Sequence, residues 1–234
     1  MAYLEGTNLI AAYGVVPILH ECSVEVEKGE LAVIVGPNGA GKSTVMRVLL
    51  GMLEATAGEV KLDGQDISTL STQERISLGL AFVPQTKNVF PSMTVEENLE
   101  MGAFLRTDDI KKTMEEVYNL FPILYEKRRQ LAEELSGGQR QQVAFGRAMM
   151  TQPSVMLLDE PTAGVSPIVM DEIFSNILDV RDAGMAVLMV EQNAQQALNI
   201  ADKGYVLVSG RNEHTGTGRE LINDSEVRKK FLGG

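Results

Sequence analysis

Nine consecutive residues, Gly36-Pro37-Asn38-Gly39-Ala40-Gly41-Lys42-Ser43-Thr44, restrict the fold of this chain more than any other stretch. They lie between the apolar run Leu31–Val35 and a largely apolar stretch over residues 45–50, so the segment reads as buried strand, glycine-rich turn and helix start. Glycines let the backbone bend until successive N–H groups converge, and the following helix N-terminus adds partial positive charge at the same point. That geometry suits phosphate. Gly36, Asn38, Gly39, Ala40, Gly41, Lys42, Ser43 and Thr44 are therefore expected to cradle nucleotide phosphates, with Lys42 reaching the β- and γ-phosphates and the Ser43 hydroxyl on Mg²⁺.

A length of 234 residues allows one large domain or a domain carrying a sizeable insertion. The charge balance, 21 basic against 32 acidic side chains for a net −11, weighs against direct binding to nucleic acid or anionic lipid. Cys22 is the single cysteine, so no internal disulfide can form; a reducing compartment and a small buried side chain are expected. No apolar run approaches the ~20 residues needed to span a bilayer, and the N-terminus lacks the basic start and apolar core of a signal peptide. The expectation is a cytoplasmic chain that meets a membrane only through a protein partner.

Along the chain, residues 2–35 suggest strands joined by tight turns, with alternation over residues 23–27 marking a half-exposed one. Tyr13 lies in this β-rich region ahead of the glycine loop, placed either to stack on a purine or to pack between strands. Residues 57–64 read as a strand ending in an Asp-Gly turn, residues 71–78 as a short helix, and Leu80–Val83 as a strand that delivers Gln85 to its carboxyl end. Between about Thr94 and Met150 the pattern turns helical, with Ile110, Met114, Val117 and Phe121 on one face and Thr107 or Asp108 available as an N-cap. Inside it, Leu135-Ser136-Gly137-Gly138-Gln139 opens another helix, giving a second terminus able to bind an anion, with Ser136 as its cap.

The apolar run Val155–Asp159 suits a strand buried on both faces, and it ends in two adjacent carboxylates. Consecutive side chains at a strand end diverge, so Asp159 can hold Mg²⁺ through its water shell while Glu160 accepts a proton from an attacking water. Ser166-Pro167 is expected to cap and start a helix, residues 185–190 to form a further buried strand with Glu191-Gln192-Asn193 at its end, and residues 204–208 another strand. The alternation of strand and helix implies a mainly parallel sheet with right-handed crossovers. The basic cluster Arg228-Lys229-Lys230 reads as a solvated helix face.

Taken together and in this order, the phosphate loop, Gln85, Leu135-Ser136-Gly137-Gly138-Gln139 and the strand ending in Asp159-Glu160 resemble the ABC-type ATPases, over essentially the whole chain. The resemblance implies an α/β P-loop NTPase: a RecA-like, mainly parallel sheet core (about residues 1–85 and 151–234) with an N-terminal antiparallel β region and a helical subdomain inserted at about residues 86–150. It implies ATP and Mg²⁺ as cofactors, and head-to-tail pairing with an identical or related subunit whose Ser136, Gly137, Gly138 and Gln139 complete the site. It assigns Tyr13 to adenine stacking, Gln85 to Mg²⁺ or the attacking water, and Glu160 to the general base. The same resemblance implies transmembrane permease subunits, reached through a groove near Phe90 and Met93, and indirectly a solute-binding protein, with the chain on the inner face of the plasma membrane.

Two departures stand out. Ser166 occupies a position where the family usually has Asp, and Gln192 one where it usually has His. An amide can donate to a γ-phosphate but carries no charge and relays no proton, so slower hydrolysis or a tighter dependence on a partner is expected. Residues 95–102, 190–194, 201–205 and 231–234 look most like an ATPase subunit of bacterial branched-chain amino-acid importers, with urea and short-amide importers as near alternatives. A soluble ABC ATPase acting on ribosomes or DNA fits less well, given the chain length, the short insertion and the acidic balance. A nucleotide-gated module that barely hydrolyses ATP is the third reading, suggested by Gln192.

Overall fold

The computed structural model describes residues 2–231. Its elements in chain order are β1 (Leu4–Tyr13), β2 (Val16–Val26), β3 (Leu31–Val35), α1 (Lys42–Leu49), β4 (Ala57–Leu62), β5 (Gln65–Asp66), α2 (Thr72–Ser77) and β6 (Leu80–Val83). There follow α3 (Val95–Gly102), α4 (Lys111–Leu120), α5 (Pro122–Glu126) and α6 (Gly137–Met149). The chain closes with β7 (Val155–Asp159), α7 (Pro167–Asp182), β8 (Ala186–Glu191), α8 (Ala194–Ile200), β9 (Lys203–Val208), β10 (Arg211–Gly216), α9 (Gly218–Asn223) and α10 (Ser225–Phe231). The resemblance drawn on residues 231–234 falls, beyond Phe231, outside the described residues.

The strands form two sheets. Six of them run in the order β10-β9-β3-β8-β7-β6, parallel from β9 to β6 with β10 antiparallel at one edge; four form an antiparallel sheet, β2-β1-β4-β5. In β3, Leu31, Val33 and Val35 pack into a core shared with α6, α7 and α8, while Ala32 and Ile34 pack into a second core shared with α1 and the antiparallel sheet. Both faces of the central sheet are therefore covered, as its unbroken apolar runs require. Each Val or Leu buried in this way contributes about 1.5–3 kcal/mol, and residues 155–158 of β7 are all 1 % exposed or less. These buried, paired strands carry the loops at their carboxyl ends.

Helices α3 to α6 lie between β6 and β7 in sequence, and α6 returns to pack on β6 and α7. Met114, Val117 and Phe121 are buried as their spacing predicts. The cap expected from Thr107 or Asp108 does not form: α4 starts at Lys111, preceded by Ile110 with no side-chain cap. Arg106 engages Asp108, and it is the Asp109 carboxylate that accepts from the Lys111 N–H, at 3.0 Å. Ser166 and Pro167 do stand at the start of α7, but the Ser166 hydroxyl makes no capping bond; the fixed φ of Pro167 sets the start instead. Among the described residues no helix is long and apolar enough to cross a membrane.

Candidate functional site

The glycine loop leaves β3 and enters α1 as its sequence predicts. Gly36 has φ 152°, and a Cβ there would stand 2.1 Å from the Leu207 carbonyl oxygen, so the loop can pass β9 only with glycine at this point. A cavity of about 240 Å³ opens over the loop, lined by Ile18, residues 38–44 and Glu160. Lys42 is buried, with its ammonium donating to the carbonyls of Gly36 (2.9 Å) and Pro37 (3.3 Å). Burial pushes its pKa down, and the nearby carboxylates of Glu160, Asp159 and Glu191 pull it back up. In that position Lys42 holds the loop's own carbonyls and lies on the floor of the cavity.

Ser43 meets Asp159 across 116 residues of sequence: its hydroxyl donates to Asp159 Oδ1 at 3.1 Å. Burial raises the Asp159 pKa, while the Ser43 bond lowers it. The Ser43 hydroxyl and the Asp159 carboxylate stand side by side and are hard oxygen donors of the kind that suit Mg²⁺, while Gln85 turns its amide nitrogen to Glu160. Among the described residues no cluster of three or more His, Cys, Asp or Glu could enclose a metal by itself, so a cation here would complete its shell with water and phosphate oxygens.

Glu160 follows β7 with its backbone in the left-handed region (φ 47°) and is 9 % exposed. A non-glycine residue in this conformation is strained and needs its surroundings to hold it. Its N–H donates to the Val190 carbonyl at 2.9 Å, tying it to β8. Its Oε2 accepts two amide bonds, from Gln85 Nε2 (2.9 Å) and Gln192 Nε2 (2.8 Å). Gln85 and Gln192, 75 and 32 residues away in sequence, thus converge on Glu160, which lines the cavity. The chemistry available is that of an oriented carboxylate beside a loop whose backbone geometry suits an anion.

The remaining residues singled out from sequence lie elsewhere. Tyr13 ends β1 at 43 % exposure, not packed between strands, and its hydroxyl accepts from Arg47 at 3.2 Å. Ser136 and Gln139 form a reciprocal capping box at the start of α6, with Gln139 N–H donating to Ser136 Oγ and Ser136 N–H to Gln139 Oε1. Neither these two residues nor Gly137 and Gly138 line the cavity over the glycine loop. Gly138 is packed against α7, where a Cβ would stand 2.6 Å from Glu172 Oε2. Glu191, named from sequence only as part of the strand end Glu191-Gln192-Asn193 and given no role there, is 1 % exposed and accepts three hydrogen bonds; an acid closing a buried strand beside Gln192 is the signal that marks it.

The sequence profile of the family described as ABC transporter matches residues 19–163, more than half of the chain. The chain is 44 % identical to the high-affinity branched-chain amino acid transport ATP-binding protein BraG of Pseudomonas aeruginosa, over 95 % of this chain and 96 % of that one. It is 39 % identical to the probable branched-chain amino acid transport ATP-binding protein LivF of Archaeoglobus fulgidus, over 98 % of each. Its fold superposes on the ADP conformation of MJ1267, an ATP-binding cassette of an ABC transporter, with a TM-score of 0.91 at 30 % identity over the full length of both chains. On fold, site and sequence alike, the chain belongs to the ABC transporter family.

Proposed function

We propose that the chain is the ATP-hydrolysing motor subunit of an importer for branched-chain amino acids, held at the inner face of the plasma membrane by permease subunits. The observation that carries the hydrolytic part is Glu160, a carboxylate at the wall of the phosphate cavity with two amide donors fixing one of its oxygens. In this reading Glu160 accepts the proton of the attacking water, Lys42 turns from the loop carbonyls to the β- and γ-phosphates, and Gln192 donates to the γ-phosphate. Ser43, Asp159 and Gln85 would hold Mg²⁺, which when bound neutralises charge developing on the phosphates. Tyr13, exposed at the end of β1, stacks on adenine.

The four residues Ser136, Gly137, Gly138 and Gln139 start a thirteen-residue helix but line no part of this chain's own phosphate cavity. That separation supports their clasping ATP bound to a second ATPase subunit, so that each site is shared by two chains. The permease groove proposed near Phe90 and Met93 has a fixed backbone: Asn98, fully buried, accepts from Phe90 N–H and donates to the carbonyls of Phe90 and Met93. The names of the two relatives support the substrate class. The test is uptake by the assembled transporter in proteoliposomes. ATP-dependent accumulation of labelled leucine, isoleucine or valine is expected, and accumulation of urea or short amides alone would overturn the substrate assignment.

Gln192 favours one competing reading, a nucleotide-gated module with little turnover, because a neutral amide cannot relay a proton. Phosphate release measured with and without permease subunits separates the two. Turnover stimulated by the permease supports the motor; negligible turnover in both cases supports the module.

A further inference from the structure

Two loops meet behind the cavity wall, one following β7 with Glu160 and one following β8 with Gln192, joined by the Gln192–Glu160 bond. Between them, and away from the cavity lining, lies the carboxylate of Glu191. Its Oε1 accepts both the backbone N–H (3.0 Å) and the hydroxyl (2.8 Å) of Thr162, and its Oε2 accepts the backbone N–H of Gln192 (3.1 Å). Thr162 is itself 1 % exposed, and its hydroxyl accepts from Asn193 Nδ2 at 3.1 Å. Every partner of Glu191 donates to it; burial raises its pKa while the hydrogen bonds from Thr162 and Gln192 lower it, and the carboxylate is the form that accepts from all of them. A carboxylate buried this deeply is retained only where its hydrogen bonds are made, because a half-satisfied buried charge is strongly unfavourable.

The clamp falls two residues after Glu160 and one before Gln192, the two residues whose side chains meet at Glu160 Oε2. Glu160 needs such support because its left-handed backbone is strained, and the Val190 bond secures only its N-terminal side. On its C-terminal side the turn from the Glu160 carbonyl to Ala163 N–H is closed at 3.1 Å, and Thr162 is the side chain that ties this turn to β8. We propose that Glu191 is a positioning residue for hydrolysis: by fastening Thr162 to the end of β8, it holds Glu160 and Gln192 at the separation the reaction needs. Asn193 completes the clamp by engaging the far side of the Thr162 hydroxyl. The inference rests on the hydrolytic reading above, in which Glu160 acts on the attacking water.

The experiment is steady-state phosphate release by the full chain at varied ATP with Mg²⁺, for wild type, Glu191→Ala, Glu191→Gln, Thr162→Val, the double variant Glu191→Ala/Thr162→Val, and Glu160→Gln as reference. Thr162→Val removes only the hydroxyl and keeps the backbone bond, so it guards against a simple folding failure of Glu191→Ala. Misplacing a reacting group by about 1 Å costs on the order of 100-fold, so Glu191→Ala and Thr162→Val are each expected to lose about 10- to 100-fold in kcat, with KM for ATP nearly unchanged. The double variant should lose no more than the worse single one, since both remove the same link, and Glu191→Gln should recover part of kcat through its remaining carbonyl oxygen. Single variants with kcat near wild type, or losses that appear in KM and thermal stability with no recovery in Glu191→Gln, would overturn the role of Glu191. If Glu160→Gln itself hydrolyses at the wild-type rate, the hydrolytic reading fails; if it is inactive while Glu191→Ala and Thr162→Val run at full rate, only the positioning role fails.

Discussion

The side-chain amide of Gln192 donates to Glu160 Oε2 at 2.8 Å, so a neutral group stands against the proposed general base. The contact orients the carboxylate without placing a charge beside it. Gln85 adds a second amide on the same oxygen at 2.9 Å. A proton released at Glu160 therefore meets no imidazole in its immediate contacts, and neither His20 nor His214 makes a hydrogen bond to it.

Replacing Gln192 by His should test this directly. The Gln192→His variant is expected to hydrolyse ATP several-fold faster and to acquire a titration step near the ordinary imidazole range of about 6–7 that wild type lacks. Phosphate release followed from pH 5.5 to 8.5 checks it. A profile unchanged in both height and shape would show that the residue's proton-carrying capacity does not bear on turnover.

The helix that carries Lys42 is anchored at its far end by Arg75. The buried guanidinium donates to the carbonyls of Val48 and Leu49, each at 2.8 Å, and to those of Ser68 and Leu70 at 2.7 and 3.0 Å. Removing it leaves several buried acceptors without donors, so Arg75→Ala should cost about 2–4 kcal/mol of stability. Thermal melting of wild type, Arg75→Ala and Arg75→Lys is the measurement. Lysine should restore only part of the loss, because a single ammonium cannot span four carbonyls arranged around a planar fork.

Cys22 is fully buried in β2, and burial pushes its thiol up to about 12. A pKa higher in the folded chain than in the unfolded one gives a contribution to stability that is present below the unfolded thiol's value and lost as pH rises through the folded value. Near pH 8.5 the native thiol is therefore protonated and unreactive while the unfolded thiol reacts. Iodoacetamide should label the native chain no faster than it opens, and label it rapidly in denaturant. Fast labelling of the folded chain would contradict the packing of β1 on β2 around this residue.

Much of this arrangement was legible in local patterns, and the remainder depends on distant contacts. The Leu31–Val35 run, the glycine loop and α1 follow from hydrophobicity and turn chemistry alone, and Ser136 caps α6 as a capping box implies. The strand β10, Arg211–Gly216, escaped notice because no residue in it is fully buried and its hydrogen bonds come from pairing with β9. Asp108 looked like a helix cap but bonds Arg106 instead, a competition that spacing does not reveal. The convergence of Gln85, Glu160 and Gln192 depends on strands β6, β7 and β8 being neighbours, which the order of elements along the chain does not specify. The clamp at Glu191 is legible only once Thr162 is known to lie beside it.

Glu160 is the base proposed to activate water, and the measurement that tests this most directly compares Glu160→Gln with wild type for ATP retention and phosphate release. An amide keeps the size of the side chain and removes its basicity. General-base catalysis is worth roughly 100- to 10,000-fold, so the variant is expected to bind ATP with undiminished affinity while phosphate release falls by about that factor. Phosphate release at the wild-type rate by Glu160→Gln would contradict the role of Glu160 as the base.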